Sequence, residues 1–174
     1  MAEFQKVTFE QFKKTCQSLE AGGSLWFTDD NEIKAFYDAI QLPRRATGGS
    51  AGYDFCMPFP ATFISANPVM IPTGIRVLLN PDQFLLCVPR SGLGFKYGAR
   101  LVNTCGIIDS DYAGSDNEGH IMAKICCDKP FRLDSGDRFM QGIILKYDIV
   151  DNDEPIKNER NGGFGSTGGE THGN

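Results

Sequence analysis

The chain has 174 residues, enough to bury a core without metal or disulfide staples. A net charge of -5 with no basic stripe argues against a general nucleic-acid binder, yet leaves room for a small anionic ligand held by a few arginines. The 20 glycines and 9 prolines interrupt the chain so often that many short strands are favoured over long helices.

Residues 1–42 differ in texture from the rest. Thr8 and Gln11 fit a capping box at the head of a helix, and Phe9, Phe12, Cys16 and Leu19 recur at helical spacing. Gly22 and Gly23 break that pattern, and Leu25-Trp26-Phe27 reads as a short strand. Asp30 is placed to cap a second helix with the stripe Ile33, Phe36, Tyr37 and Ile40, which Pro43 ends. This gives a helical N-terminal extension packed on a main domain.

From Pro43 the texture is β. Thr62 to Ser65, Val69 to Ile71, Ile75 to Leu79, Phe84 to Val88, Ile121 to Cys126 and Phe139 to Tyr147 are short apolar runs between Gly, Pro, Asn and Asp turn signals. Strands of that length and spacing predict an all-β sandwich or barrel over residues 43–157. Residues 158–174 form a polar, Gly-rich arm with one aromatic, Phe164.

Cys16, Cys56, Cys87, Cys105, Cys126 and Cys127 include no CxxC pair, and there are only two histidines, so the usual zinc spacings are missing. The opening segment MAEFQKVTFEQFKK lacks the apolar run of a signal peptide, and no stretch is apolar enough to span a membrane. The expectation is a cytoplasmic protein with reduced thiols.

Five segments carry chemistry. Ala51-Gly52-Tyr53-Asp54 sets a carboxylate beside a glycine turn. Pro89-Arg90-Ser91-Gly92-Leu93-Gly94 follows an apolar strand and offers a guanidinium, a hydroxyl and backbone N–H groups, the donors a polyphosphate needs, without Walker spacing. In Asn103 to Gly114, Gly106 permits a hairpin tip whose backbone can read a base edge. Asp109 and Asp111 share a strand face until a turn intervenes, and Tyr112 adds a flat ring. Asp137-Arg138-Phe139-Met140-Gln141 opens the last long strand. Arg160 to Gly168 joins Phe164 to glycines and hydroxyls, a composition suited to closing over a ligand.

In this order the five segments resemble the motifs of the trimeric dUTPase (deoxyuridine triphosphate nucleotidohydrolase) family, from about Pro43 to Gly168. The resemblance implies a distorted jelly-roll β-barrel assembled as a homotrimer, with active sites between subunits. It also implies dUTP as substrate, Mg²⁺ on the triphosphate, and dUMP and pyrophosphate as products. Asp109 matches the Asp that activates water, and Asp54 the Asp that acts near the metal through water. Arg90, Ser91, Gly92 and Gln141 match phosphate contacts. Asn103 and the backbone from Gly106 to Ile108 match the uracil-reading hairpin, and Tyr112 the ring beneath the deoxyribose. In the arm, Phe164 matches the stacking lid, with Gly165 beside it and Ser166 and Thr167 on the terminal phosphate.

Three features depart from the family pattern. Arg160 stands one residue closer to Gly162-Gly163-Phe164 than the family arginine, Ser115 to Gly119 look inserted after Tyr112, and residues 1–42 have no counterpart in the minimal family chain. A dCTP deaminase of the same fold is a second reading, opposed by the segment Ile108 to Tyr112. A regulatory protein that binds a protein partner through residues 1–42 or the inserted loop is a third.

Overall fold

The computed structural model describes residues 1–21, 27, 29–65 and 67–154. Arg160, Phe164, Gly165, Ser166 and Thr167 lie outside the described residues, as do Leu25 and Trp26 of the expected early strand, and Phe27 is not in a strand.

The chain opens with a strand, β1 (Glu3–Lys6), followed by helices α1 (Phe9–Ala21) and α2 (Asp30–Ala39). Both helices form where the apolar spacing predicts them, with two corrections to their caps. Thr8 Oγ accepts from Gln11 N–H at 3.2 Å, but the other half of the box is not made by Gln11, whose side chain donates to Thr15. Instead Thr8 N–H donates to Glu118. The second helix is capped by Asp29 rather than Asp30. Asp29 alone can turn its carboxylate back onto the N–H groups of Asn31 and Glu32, at 2.8 and 2.9 Å.

The strands then follow as β2 (Arg44–Arg45), β3 (Tyr53–Cys56), β4 (Ala61–Phe63), β5 (Val69–Pro72), β6 (Ile75–Leu78) and β7 (Gln83–Pro89). A two-turn helix α3 (Ser91–Tyr97) leads into β8 (Arg100–Leu101) and β9 (Gly106–Asp109). A 3₁₀ turn (Ser110–Gly114) precedes β10 (Met122–Cys126), β11 (Phe131–Leu133) and β12 (Arg138–Lys146). The described chain is therefore mostly β with three short helices.

All strand pairs are antiparallel. The largest sheet has the order β2-β3-β12-β7-β9; a second is β5-β10-β8, and β1-β6 and β11-β4 form two ribbons. Inward residues of every sheet, among them Phe55, Phe63, Ile71, Ile75, Leu85, Ile125 and Phe139, meet in one core.

The first 42 residues are less of an appendage than their texture predicts. β1 pairs along β6, Phe4 opposite Val77, and Val7, Phe12, Cys16, Ile33 and Ile40 are buried in the same core. Gly74, at φ +70°, lets the segment approach: a Cβ there would collide with Ile40 and lie 3.3 Å from Phe12. Burying each such large side chain contributes roughly 1.5–3 kcal/mol.

Candidate active site

The first, second and fourth segments meet at one end of the five-stranded sheet. Asp54 stands opposite Gln141 on β12, and Gln141 stands opposite Val88 on β7, one residue before Pro89. Asp54 is therefore a strand residue rather than a turn residue. Its carboxylate, only 12% exposed, takes Arg90 Nε at 3.1 Å on one oxygen and Arg138 Nη1 at 3.1 Å on the other. Two cations around one carboxylate leave an excess positive charge, which suits a polyphosphate. Gly52 of the same segment lies flush on Gln141; any side chain there would collide with the glutamine amide.

Arg90 ends β7 and begins α3, so Ser91 and Gly92 sit in the first turn of a helix rather than a plain turn. Two glycines weaken that helix, but Tyr97 stacks on Phe131 with centroids 4.7 Å apart, and Gly98 closes it in the left-handed conformation with its N–H on Gly94 O and Leu93 O. Ser91 and Gly92 are exposed, and N–H groups in a first helical turn lack partners within the helix.

The third segment needs correction. Gly106 is not the hairpin tip. The turn runs over Val102 to Thr104, and Thr104 supplies the left-handed residue at φ 68°. Gly106 begins β9, and a Cβ there would stand 3.2 Å from the Cβ of Cys87, so its small size serves strand packing. Asn103 is exposed on the turn. β9 is the edge strand of the five-stranded sheet, so the backbone from Gly106 to Ile108 is hydrogen-bonded to β7 on one side only within that sheet. The strand stops at Asp109, so Asp111, in the 3₁₀ turn, does not share its face. Tyr112 is 5% exposed; its hydroxyl donates to His120 O at 3.1 Å and accepts from Asn117 Nδ2 at 2.8 Å.

Asp109 stands opposite Phe84 near the start of β7, whereas Arg90 follows Pro89 at its end. The six residue steps of extended chain from Phe84 to Arg90 place those points about 20 Å apart. Within one chain the Asp109 carboxylate and the arginines around Asp54 thus lie beside opposite ends of β7.

All six cysteines are free; Cys16, Cys87 and Cys127 are buried. Burial pushes the Cys16 and Cys87 thiols up to about 12, so they are inert packing groups. Among the described residues no three His, Cys, Asp or Glu side chains cluster as a metal cage, and no helix is long and apolar enough to cross a membrane.

Arg138 escapes sequence reasoning. An arginine at the head of an apolar strand reads as a solvated end; only the pairing of β12 with β3, with Arg138 opposite Cys56, brings it to Asp54. Asn117, Glu118 and His120 escape for the same reason, since their partners lie on other elements.

Comparison with known proteins bears on this arrangement. The dUTPase family model matches residues 38–168. The deoxyuridine 5'-triphosphate nucleotidohydrolase of Lactococcus lactis is 37% identical over 133 residues, spanning 74% of this chain and 89% of the relative. The crystal structure of dUTPase from Streptococcus mutans superposes with a TM-score of 0.62 at 27% identity, over 86% of this chain and 98% of the other. A variant dUTPase from phage phi11 of S. aureus, described as coordinating a structural Mg(II) ion, shares the fold with a TM-score of 0.57 at 15% identity, over 70% and 92% of the two chains.

Proposed function

This chain belongs to the dUTPase family, and we propose that it cleaves dUTP to dUMP and pyrophosphate in sites shared between the subunits of a homotrimer. The observation that carries the shared site is the separation of the two ends of β7. A general base must come within hydrogen-bond reach, about 3 Å, of the water it activates. Asp109 cannot serve a phosphate chain held by Arg90 of its own subunit across about 20 Å. A neighbouring subunit that brings its Asp109 end to this subunit's Arg90 end resolves the conflict. The antiparallel sheets around one core support the jelly-roll reading of the fold.

In this reading Arg90, with the N–H groups of Ser91 and Gly92 and the amide of Gln141, binds the phosphates. Asp54 holds Arg90 and Arg138 in place through its two oxygens. The open edge of β9, with Asn103, reads uracil through backbone donors and acceptors. That filter rejects cytosine strongly, because a mismatched base leaves polar groups unpaired. Asp109 accepts a proton from water as its oxygen bonds to the α-phosphorus. The bond from that phosphorus to the bridging oxygen breaks, and pyrophosphate leaves with the electron pair. Tyr112 lies under the deoxyribose. Phe164 of the arm stacks on the base, with Gly165, Ser166, Thr167 and Arg160 closing on the phosphates.

A divalent ion, Mg²⁺, fits the donor set. Both oxygens of Asp54 are committed to arginines, so the ion would be held chiefly by the phosphates, reaching Asp54 through water. When bound it neutralises triphosphate charge that would repel incoming water.

Two measurements test the reading. Pyrophosphate release with dUTP, dTTP, dCTP and UTP, with and without Mg²⁺, is expected to single out dUTP with the metal; ammonia release from dCTP would instead mark a deaminase. Arg90→Ala and Asp109→Asn are each expected to be inactive alone and to recover activity when the two chains are co-expressed. Absence of recovery in verified mixed trimers would refute the shared site.

A further inference from the structure

We propose that the inserted loop Ser115 to Gly119 is a specificity element of this enzyme, in which Asn117 and Glu118 are positioning residues that stiffen Tyr112 against a 2′-hydroxyl. This rests on the reading of Tyr112 as the surface beneath the deoxyribose. The loop is joined directly to that ring at one end and to the N-terminal helix α1 at the other.

The loop reaches Tyr112 at its hydroxyl. Asn117 Nδ2 donates to Tyr112 Oη at 2.8 Å, and Tyr112 Oη donates to His120 O at 3.1 Å, so the far end of the ring is gripped from two sides. Asn117 is itself fixed: its Oδ1 accepts from Gly119 N–H at 3.1 Å, and its carbonyl accepts from His120 N–H at 3.0 Å. Gly119, at φ +71°, lies so close to the ring-bearing turn that a Cβ would come within 2.7 Å of Ala113 Cα and 2.9 Å of Tyr112 O. The loop is thus pressed against the backbone it steadies.

The other end of the loop is anchored on α1. Glu118 adopts φ 59°, a left-handed conformation costly for a side-chain-bearing residue, and its carboxylate takes both donors of Thr8, the N–H at 2.7 Å and the hydroxyl at 2.6 Å. Beside this joint, His120 Nε2 accepts from Gly74 N–H at 2.8 Å and its Nδ1 lies 3.3 Å from Thr15 Oγ on α1. Gly74 O in turn accepts from Val7 N–H at 3.0 Å. A continuous set of hydrogen bonds therefore runs from the start of α1 to the phenol of Tyr112.

Stiffness matters because exclusion by an apolar wall is a weak filter. Rejecting a ligand that merely adds a hydroxyl yields about a hundredfold discrimination at best, and a ring free to retreat gives that up. A wall clamped at its tip by a loop that is itself tied to a helix holds its position against the ribose.

The test is the ratio of kcat/KM for dUTP to that for UTP, measured in the full-length enzyme with Mg²⁺. Asn117→Ala and Glu118→Ala are each expected to lower this ratio about tenfold, the fraction of such a filter lost when the wall can yield. Glu118→Gln, which keeps one acceptor for Thr8, is expected to recover part of it. Thermal melts confirm that each variant is folded, and the dUTP/dCTP ratio, set at the base hairpin, separates a loosened sugar wall from general damage. Tyr112→Ala is run alongside. A collapsed ratio in Tyr112→Ala with an unchanged ratio in both folded loop variants would overturn the proposal alone. An unchanged ratio in Tyr112→Ala would overturn the reading of the ring and the proposal with it.

Discussion

At one end of β7, three charged side chains from β3, β12 and the start of α3 hold one another: Asp54 between Arg90 and Arg138. At the other, Asp109 and Tyr112 sit where a strand gives way to a 3₁₀ turn, and loop and backbone contacts hold the ring from outside the sheet. The first arrangement gathers positive charge at a strand end, which in the proposed reading receives the phosphates. In the same reading the second supplies a proton acceptor and an apolar surface, whose usefulness depends on position rather than on net charge. The charged end can absorb small displacements because Coulomb attraction fades gradually. The Asp109 end cannot, because proton transfer and steric exclusion change within a fraction of an ångström.

That contrast yields three expectations, the largest first. Asp109→Asn is expected to lower kcat by about a thousandfold, within the range for loss of a general base, while Kd for a non-hydrolysable dUTP analogue stays within a few-fold of the parent. A parental kcat in that variant would reassign the Asp109 end to binding alone. The next largest concerns acid. Burial pushes the His120 imidazole down from 6.5 to about 4, opposed by the nearby Glu118 carboxylate. The unfolded chain therefore takes up this proton at a higher pH than the folded one. Stability from His120 is complete above about pH 6.5 and declines as the pH falls toward 4, by up to about 3 kcal/mol. Melting temperatures from pH 7.5 down to 4.5 are expected to fall less steeply in His120→Gln than in the parent; identical slopes would place the acid sensitivity elsewhere. The smallest effect falls at the charged end. Arg138→Ala leaves Asp54 with Arg90 alone and is expected to lower kcat/KM about tenfold, chiefly through KM, with stability changed by no more than about 1 kcal/mol because the pair is partly solvated. A fall in kcat at unchanged KM would show that Arg138 acts on the reaction itself.

The same contrast explains what the sequence discloses. The apolar runs of β6, β7 and β10 are legible because each buries alternate residues, and that of β12 because it is nine residues long and largely apolar. β2, β8 and β11 are two or three residues long and have no period to read. β1 carries one large apolar residue, Phe4, and owes its place to pairing with β6. Of the candidate site, Asp54, Arg90, Asp109, Tyr112 and Gln141 stand out in the sequence because they fall in ordered motifs. Arg138 and Glu118 do not, since each matters through a partner distant in sequence, and Asn117 does not, since its bond to Tyr112 depends on how the loop folds back. The mistaken tip at Gly106 has the same root: glycine tolerates turns and close strand contacts alike, and only the position of Cys87 decides between them.

Packing also bears on residues 1–42. Phe12, Cys16, Ile33 and Ile40 are buried in the central core, so stability suffices to explain the segment without a dedicated protein partner. Its removal would strip β6 of its β1 neighbour.

The contact between Thr8 and Glu118 spans 110 positions of sequence. During synthesis at about 5–20 residues per second, α1 leaves the ribosome roughly 5–20 seconds before the carboxylate that caps it. Through that interval the first helix must rely on Thr8 alone at its head, with the rest of its bed still unmade. The start of the chain is thus locked only after the turn that carries Tyr112 has been translated, so a nascent polypeptide truncated upstream of Glu118 carries an unlatched N-terminus that proteases can find.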